Sequence, residues 1–476
     1  MRPVPSSMPR RLRLLHAIHD FLPRHQAGSE IYAATLCQAL LRRGHHVTIL
    51  AADFDPARRH GELTWRVFEG VPVVEIVNNW QFASFEETYR APNLLPVLDH
   101  VLKATQPDLL HVHSLLNLSF DLPRLARARG ARVVGTLHDY TLVCASGGQR
   151  VHRAERHVCH TIEADRCARC FSESAYPGQM AFGRALGRPG GSIARRLGAT
   201  LRRRAPRLLA YLSKSPSLAA GQRTPTGAAI EERLNAARAA ASEFDLLIGP
   251  SRSIAAEFKA LGVAPGRLDV ADYGFRPLPV SGSTSSTSAD TGRLRVGYVG
   301  TLVWHKGVHV LIDAIRQMPP GQADVSIFGD PETFPDYTAE LRASARGLPV
   351  RFMGRFARER VADIYSQLDV LVVPSVWLEN SPLVIHEAFM AGVPVVGARI
   401  GGITDLVRDG ENGLLYPPES SSALAAALSG LATDRSRLLA LRTRATPVRS
   451  IDDDAIEWER RYLSLSTSEG PNRRVS

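Results

Sequence analysis

The stretch Trp377-Leu378-Glu379-Asn380-Ser381-Pro382-Leu383-Val384-Ile385-His386-Glu387-Ala388-Phe389-Met390-Ala391-Gly392-Val393-Pro394-Val395-Val396 decides how the second half of this chain folds. Ser381 and Pro382 read as the N-cap and first position of a helix: a hydroxyl satisfies an orphan N–H, and proline has none to lose. Gly392 reads as the helix end, and residues 393–396 as a short apolar strand. Glu387 then falls in the second turn of an otherwise apolar helix, and Glu379 on the loop that feeds it. A carboxylate in such a setting requires a hydrogen-bonding partner, from the protein or from a ligand.

Outward from this stretch the same alternation recurs. Residues 12–18, 47–52, 71–77, 108–113 and 132–137 read as strands, with a helix from Gly28-Ser29-Glu30 to about Leu41 closed by Gly44-His45-His46. After an irregular region at 140–240 the pattern restarts with strands at 294–299, 325–328, 371–373 and 393–396. Strand–helix alternation implies parallel sheets covered by helices on both faces. The expectation is an α/β chain with two Rossmann-like domains facing across a cleft, ligands sitting at the strand carboxyl ends. The first domain is expected over residues 11–277 and the second over 293–447. Between them, residues 278–292 hold Ser281-Gly282-Ser283-Thr284-Ser285-Ser286-Thr287-Ser288, a linker by composition. A helix is expected at 448–465, and a disordered tail at 466–476.

The composition is that of a soluble globular protein: 476 residues, 44% hydrophobic and 22% charged. No run reaches the roughly 20 apolar residues of a membrane helix. Near the N-terminus Leu12-Arg13-Leu14-Leu15 is interrupted by charge, so no signal-peptide core is read and a cytoplasmic location is expected. The net charge of +11 suits phosphates or an anionic membrane surface. Nucleic acid is not an expected partner, because no aromatic-interleaved basic motif or zinc-finger spacing occurs. Arg195-Arg196, Arg202-Arg203-Arg204 and Arg207 lie among leucines and alanines in residues 192–223. That segment reads either as a peripheral contact with anionic lipid or as a solvated basic face.

Val299-Gly300-Thr301-Leu302-Val303-Trp304-His305-Lys306-Gly307-Val308 follows a strand and opens a helix. Small residues and a helix start admit an anion, and Lys306 supplies a point charge; the plain reading is a tight turn with a surface lysine. Lysine is scarce here, with only Lys103, Lys214, Lys259 and Lys306, so each repays inspection. For Glu387 the pairing that fits is a ribose, whose two vicinal hydroxyls match two carboxylate oxygens; the alternative is a structural carboxylate bonded by the backbone.

Taken together, Glu379, Glu387, Pro374-Ser375, Met390-Ala391-Gly392, Pro394-Val395-Val396, Gly401-Gly402-Ile403, Asp405-Leu406-Val407 and Asp409-Gly410-Glu411-Asn412-Gly413 resemble the GT-B glycosyltransferases of family 4. Lys306-Gly307 adds to the resemblance, and Gly28-x-Glu30 and Arg43-Gly44-His45-x-Val47-Thr48 extend it into the first domain. It spans about residues 12–465. It implies that the first domain receives the acceptor and the second binds a nucleotide-diphosphate sugar, with the C-terminal helix packing back across both. Glu387 would hold the ribose; Glu379, with Asn380, Ser381 and Leu383, would contact the sugar and diphosphate. Lys306 would neutralise the leaving group beside Gly300 and Thr301, and Gly28 would let the N-terminal loop close on the donor. His138, with Asp139 after it, matches the family's active-site histidine. The family usually has an arginine where Thr301 stands; Arg276 and Arg355 are the candidates to replace it, the alternative being a subgroup that does without it, and Tyr273-Gly274 stands where Asn-Gly is usual.

The implied activity is sugar transfer, with retention, to a hydroxyl of a glycan or lipid-linked acceptor. The resemblance, together with the lack of a plainly placed protein nucleophile, implies same-face attack, the acceptor hydroxyl entering as the diphosphate leaves. The alternatives are a sugar-nucleotide epimerase of the same architecture and a non-catalytic glycan- or membrane-binding relative. No cofactor is expected to be required for catalysis. Asp53-Phe54-Asp55 and Asp452-Asp453-Asp454 look like a metal-binding DxD but are read as solvated loop carboxylates. Cys144, Cys159, Cys167 and Cys170 form C-x14-C-x7-C-x2-C, which reads as structural zinc or as free thiols, with His157 and His160 close by. Cys37, in an apolar helix, reads as core.

Overall fold

A computed structural model describes residues 10–187, 224–263, 268–278, 292–444 and 446–467, together with positions 198, 200 and 204. The linker at 281–288, the arginine-rich segment and the tail after 467 lie largely or wholly outside the described residues. The strands are β1 (Arg13–Ile18), β2 (His46–Asp53), β3 (Leu63–Phe68), β4 (Val71–Val77), β5 (Leu109–Val112), β6 (Arg132–Thr136), β7 (Val151–His152), β8 (His157–Val158), β9 (Leu246–Gly249) and β10 (Leu268–Val270). The second half adds β11 (Leu294–Val299), β12 (Ala323–Phe328), β13 (Val350–Gly354), β14 (Val370–Val373), β15 (Val395–Ala398) and β16 (Gly413–Tyr416).

Eight strands form one sheet in the order β10-β9-β6-β5-β1-β2-β4-β3, parallel except for the β3–β4 hairpin. Six form a second, all-parallel sheet in the order β13-β12-β11-β14-β15-β16. The central strands are mostly apolar, as suits strands buried on both faces, with His16 on β1 and His111 on β5 as buried polar exceptions. The second sheet reverses direction between β11 and β14, so the loops after these two strands diverge and open a crevice between them. Residues Val299 to Thr301 and Ser375, which follow those strands, line the cleft between the domains.

The expected strands are all present, each within two residues at its ends; the largest differences are the strand expected at 393–396, which lies at Val395–Ala398, and the one expected at 325–328, which begins at Ala323. One expectation at the opening stretch fails. The helix is Leu383–Met390; Pro382, with ψ of 116°, is its N-cap, and no side chain caps it. Ser381 instead accepts or donates elsewhere: its hydroxyl donates to Asp272 Oδ1 at 2.7 Å and meets His386 Nε2 at 2.9 Å. Tertiary partners have taken the hydroxyl that local propensity assigned to the cap.

The C-terminal helix Ile451–Thr467 packs on the first-domain helix Gly28–Arg42. Tyr32 Oη donates to Asp454 Oδ2 at 2.7 Å and accepts from Trp458 Nε1 at 2.9 Å. Asp454 is therefore buried in a helix, not solvated in a loop, and Asp53 is likewise buried and paired with Arg24 at 3.2 Å. Cys37 is fully buried in the core beneath this helix pair.

Candidate active site

The interdomain cleft has a volume of about 550 Å³. On its second-domain wall Lys306 ends the short 3-10 turn Trp304–Lys306 after β11. Gly307 fixes that turn at φ 72°, where a Cβ would lie 1.8 Å from Pro374 O. The Lys306 ammonium donates to Glu379 Oε1 at 2.7 Å and stands 5.1 Å from the centre of the Trp377 ring. Ser375 Oγ donates to the same carboxylate oxygen at 2.5 Å. The loop bearing Glu379 is held from below: Gly402 N–H donates to Glu379 O at 2.7 Å, and a Cβ on Gly402 would meet Asn380 O. The Gly401-Gly402 pair is thus a packing requirement of the acidic loop.

Glu387 is buried one turn into the uncapped helix. Its carboxylate accepts from Tyr365 Oη at 3.2 Å and faces Arg358 at 3.4 Å. Burial pushes its pKa above the ordinary glutamate value; the Arg358 charge and the Tyr365 bond only partly offset this. Neither contact is short, so the carboxylate keeps acceptor capacity toward the cleft. Leu383 and Val384, at the first turn of the helix, also line the cleft.

The first-domain wall is built differently. Gln26 to Ser29 approach so closely that a Cβ on Gly28 would meet Leu383 Cδ1 of the opposite domain at 2.9 Å. His138 follows β6, and both its ring nitrogens are engaged: Nδ1 meets Tyr273 Oη at 2.8 Å and Nε2 meets His113 Nδ1 at 2.9 Å. His113 Nε2 in turn meets His16 Nδ1 at 3.0 Å. Burial lowers His138 and His16 each to about 3, so the rings stay neutral at physiological pH. Each neutral ring then donates from one nitrogen and accepts at the other, which gives the chain a single direction. Asp139 caps Thr141 N–H at 2.7 Å and is raised by burial. Asn380 joins the walls, its amide donating to Leu137 O at 2.8 Å and His138 O at 3.1 Å, its oxygen accepting from Ser251 Oγ at 3.0 Å.

The cleft thus gathers Gly28, His138, Asp139, Gly300, Thr301, Lys306, Glu379, Asn380, Ser381, Leu383 and Glu387, all singled out in the sequence. Of the two arginines considered in place of the one usual at Thr301, Arg355 lines the cleft, paired with Asp330 at 2.8 Å. Arg276 does not; it is exposed and bonds Gln38. Sequence reasoning missed Arg358, Tyr365, His113 and His16. The histidine pair His111 and His113, two apart on one strand, was the available signal, because alternate residues share a sheet face. Tyr273 was noted only as a departure, yet its hydroxyl reaches the cleft histidine. The four cysteines lie on the insertion, outside the cleft, and none is in a disulfide. Among the described residues no three of their sulfurs lie within 4.8 Å of one another, so a closed tetrahedral set is not preformed.

Two family descriptions match the chain: "Glycosyltransferase Family 4" over residues 27–176 and "Glycosyl transferases group 1" over residues 293–434. The chain is similar to the D-inositol 3-phosphate glycosyltransferase of Rhodococcus erythropolis, with 33% identity over 49% of this chain and 55% of that protein. The enzyme of the same name from Nocardia farcinica is 32% identical over 39% of this chain and 44% of its own length. The chain spans about half the length of these curated relatives. Among solved structures, sucrose-phosphate synthase from Thermosynechococcus elongatus matches with a TM-score of 0.64 at 19% identity, covering 96% of this chain and all of that one. Anabaena HepE, crystallised with UDP and glucose, matches with a TM-score of 0.60 at 17% identity and the same coverage. These likenesses establish the fold: two Rossmann-like domains in the GT-B arrangement. Among the described residues no helix is long and apolar enough to cross a membrane.

Proposed function

Since the chain belongs to the group 1 glycosyltransferases of family 4, we propose that it transfers a sugar from a nucleoside diphosphate to an acceptor hydroxyl in the interdomain cleft. The observation that carries this reading is one wall of that cleft. A lysine, an uncapped helix start and, one turn further on, a buried glutamate with spare acceptor capacity stand together there. Breaking a sugar–phosphate bond puts negative charge on the diphosphate and positive character on the sugar. Preorganised cations and N–H dipoles stabilise the first by about 3–4 kcal/mol per well-placed donor. Lys306 and the helix start at Leu383 serve this role, and Arg355 and Arg358 supply the charge that Thr301 does not. Glu387 takes the ribose hydroxyls. Glu379, held by Lys306 and Ser375, faces the transferred sugar.

The acceptor hydroxyl attacks from the face that the diphosphate leaves and gives its proton to that leaving group, so the anomeric configuration is retained. His138 has no spare ring nitrogen in this geometry, which leaves its wall a positioning part. The proposed acceptor is a glycan or a lipid-linked saccharide, met at an anionic membrane surface by a chain of net charge +11.

A thermal-shift screen across UDP-, GDP- and ADP-sugars tests the donor, because a ligand that binds only the native state raises its melting temperature. A donor that stabilises the wild type and is turned over, with turnover lost in Lys306→Ala, supports the reading. Turnover unaffected by that substitution would sink it. Anomeric NMR of the first product tests retention; an inverted linkage rejects same-face attack. Vesicle sedimentation insensitive to anionic lipid removes the membrane element.

A further inference from the structure

The insertion after β6 is the largest built feature that the cleft does not use. Its four cysteines sit on three elements that meet. Cys144 closes the turn that begins at Asp139, its N–H donating to Tyr140 O at 2.7 Å. Cys159 follows the β7–β8 hairpin and donates its N–H to Arg150 O at 2.8 Å. Cys167 and Cys170 lie one turn apart on helix Ala164–Ser172, on one face. The Cys170 sulfur is 4.0 Å from Val151 O on the hairpin. All four are half-buried over Val151, Val158 and Phe171 of the core.

A second observation is independent of the sulfurs. Arg233 is only 6% exposed, yet among the described residues no carboxylate lies within ion-pair distance of it. Its guanidinium donates to Leu142 O at 3.0 Å and Thr141 O at 2.6 Å, and lies 5.0 Å from the Phe120 ring centre. The acidic groups it senses are Cys144 and Cys167, with Tyr176 and Tyr89. A buried cation requires a counter-charge. Neutral thiols provide none, whereas thiolates bound to a metal ion do.

We propose that Cys144, Cys159, Cys167 and Cys170 bind a zinc ion and that this knuckle braces the two domains beside the cleft. On binding, four thiol protons go to solvent and four thiolates surround a dication. The cluster is left with two negative charges, the counter-charge that Arg233 otherwise lacks among the described residues; the buried Arg150 already has Glu257. Four sulfur donors on three adjoining elements suit zinc, which needs no redox partner. His152 is not a donor, being held by Glu173 at 2.7 Å. The sulfurs must close in from their present spacing. The bracing follows from what the knuckle carries. One end is the Asp139–Thr141 turn at the cleft. The other is the hairpin tip, where Arg156 pairs with Glu340 of the second domain at 2.7 Å and Arg153 lies 5.4 Å from the Phe334 ring centre. None of this depends on the donor or acceptor reading.

The test uses the full chain purified with neither chelator nor added metal. Mass-spectrometric metal analysis is expected to give about one zinc per chain. Cobalt(II) added to the stripped protein is expected to give the charge-transfer and intense visible bands of a tetrahedral thiolate site. Cys167→Ser/Cys170→Ser loses both signals and Cys37→Ser keeps both. Arg233→Gln releases zinc faster to a chromogenic chelator. The proposal is overturned by clearly substoichiometric zinc with four thiols reactive in the native protein, by iron in place of zinc, or by a cobalt spectrum that survives the double substitution. Should the double variant fail to fold, the cobalt titration of the wild type decides.

Discussion

The two walls of the cleft are made from the same kind of element, loops at the carboxyl ends of parallel strands, and yet they differ in charge. The second-domain wall carries Lys306, Glu379, Glu387, Arg355, Arg358 and Asp330. The first-domain wall carries neutral His138, Tyr273 and the Gly28 loop, with Asp139 as its one acidic side chain among the lining residues. The difference teaches how the work is divided. A diphosphate is recognised by charge, which acts with little demand on shape, so one wall holds nearly all of it. A sugar and its acceptor are recognised by shape and directed hydrogen bonds, which a locked, neutral network provides without competing for the phosphate.

If that division is right, the largest effect belongs to Lys306. Lys306→Ala is expected to lower kcat about 10²–10³-fold in a donor-turnover assay. It also strands the buried Glu379 and so lowers Tm; adding Glu379→Gln should restore Tm without restoring turnover. An equal loss from a neutral-wall substitution would break the comparison. Next comes Glu387→Ala, with the donor KM raised about 10–100-fold, as for hydrogen bonds to a charged acceptor.

On the neutral wall, Tyr273→Phe removes the partner of His138 Nδ1 and should lower kcat by about tenfold, the scale of one net hydrogen bond. The donor KM and its salt dependence should not move. The pH profiles sharpen the same contrast. His138 is lowered to about 3 by burial, so the wild-type rate should show no imidazole step between about pH 5 and 8. Glu387 is raised, first by burial. Its protonation therefore begins above the ordinary glutamate range as pH falls, and the donor KM should rise there, an effect that Glu387→Gln abolishes. The linkage sign is opposite for the empty protein: a raised folded pKa favours the protonated native state. The stability that Glu387 contributes is full below its unfolded value and is lost as pH rises through the folded one. A ligand-free Tm that shows no Glu387-dependent gain on acidification would contradict that assignment.

The smallest effect is expected at Arg355, whose side chain is 80% exposed. Arg355→Ala should cost a few-fold in donor affinity at low salt and nothing at high salt, because exposed charges are screened within about 10 Å at 0.1 M.

Much of this was legible in the residue order. Apolar runs separated by helix-period segments marked the parallel sheets, since strands buried on both faces cannot hide their composition. The Lys306 loop and the Glu379 to Glu387 span were legible because each places an uncompensated charge beside a glycine or a helix start. The Ser381 cap was misread because its hydroxyl is taken by Asp272, far away in the chain, and by the His386 ring on the following helix, in place of a backbone N–H. Asp454 was misread for a similar reason: three acids in a row look solvated until a tyrosine and a backbone N–H from another domain close over one of them.

Residue order alone settled that there are two α/β units, which strands lie at their centres, and which lysine and glutamates line the cleft. Those properties follow from periodicity and from the expense of burying a lone charge, both local. Only the tertiary structure decided that His138 has no ring nitrogen to spare, that Arg358 and not Arg276 stands at the cleft, and that Arg233 lies buried without an acid beside the cysteines. Each of these is a partnership between residues far apart in the chain, and hydrogen bonds and ion pairs act over a few ångströms of space, whatever the separation in sequence.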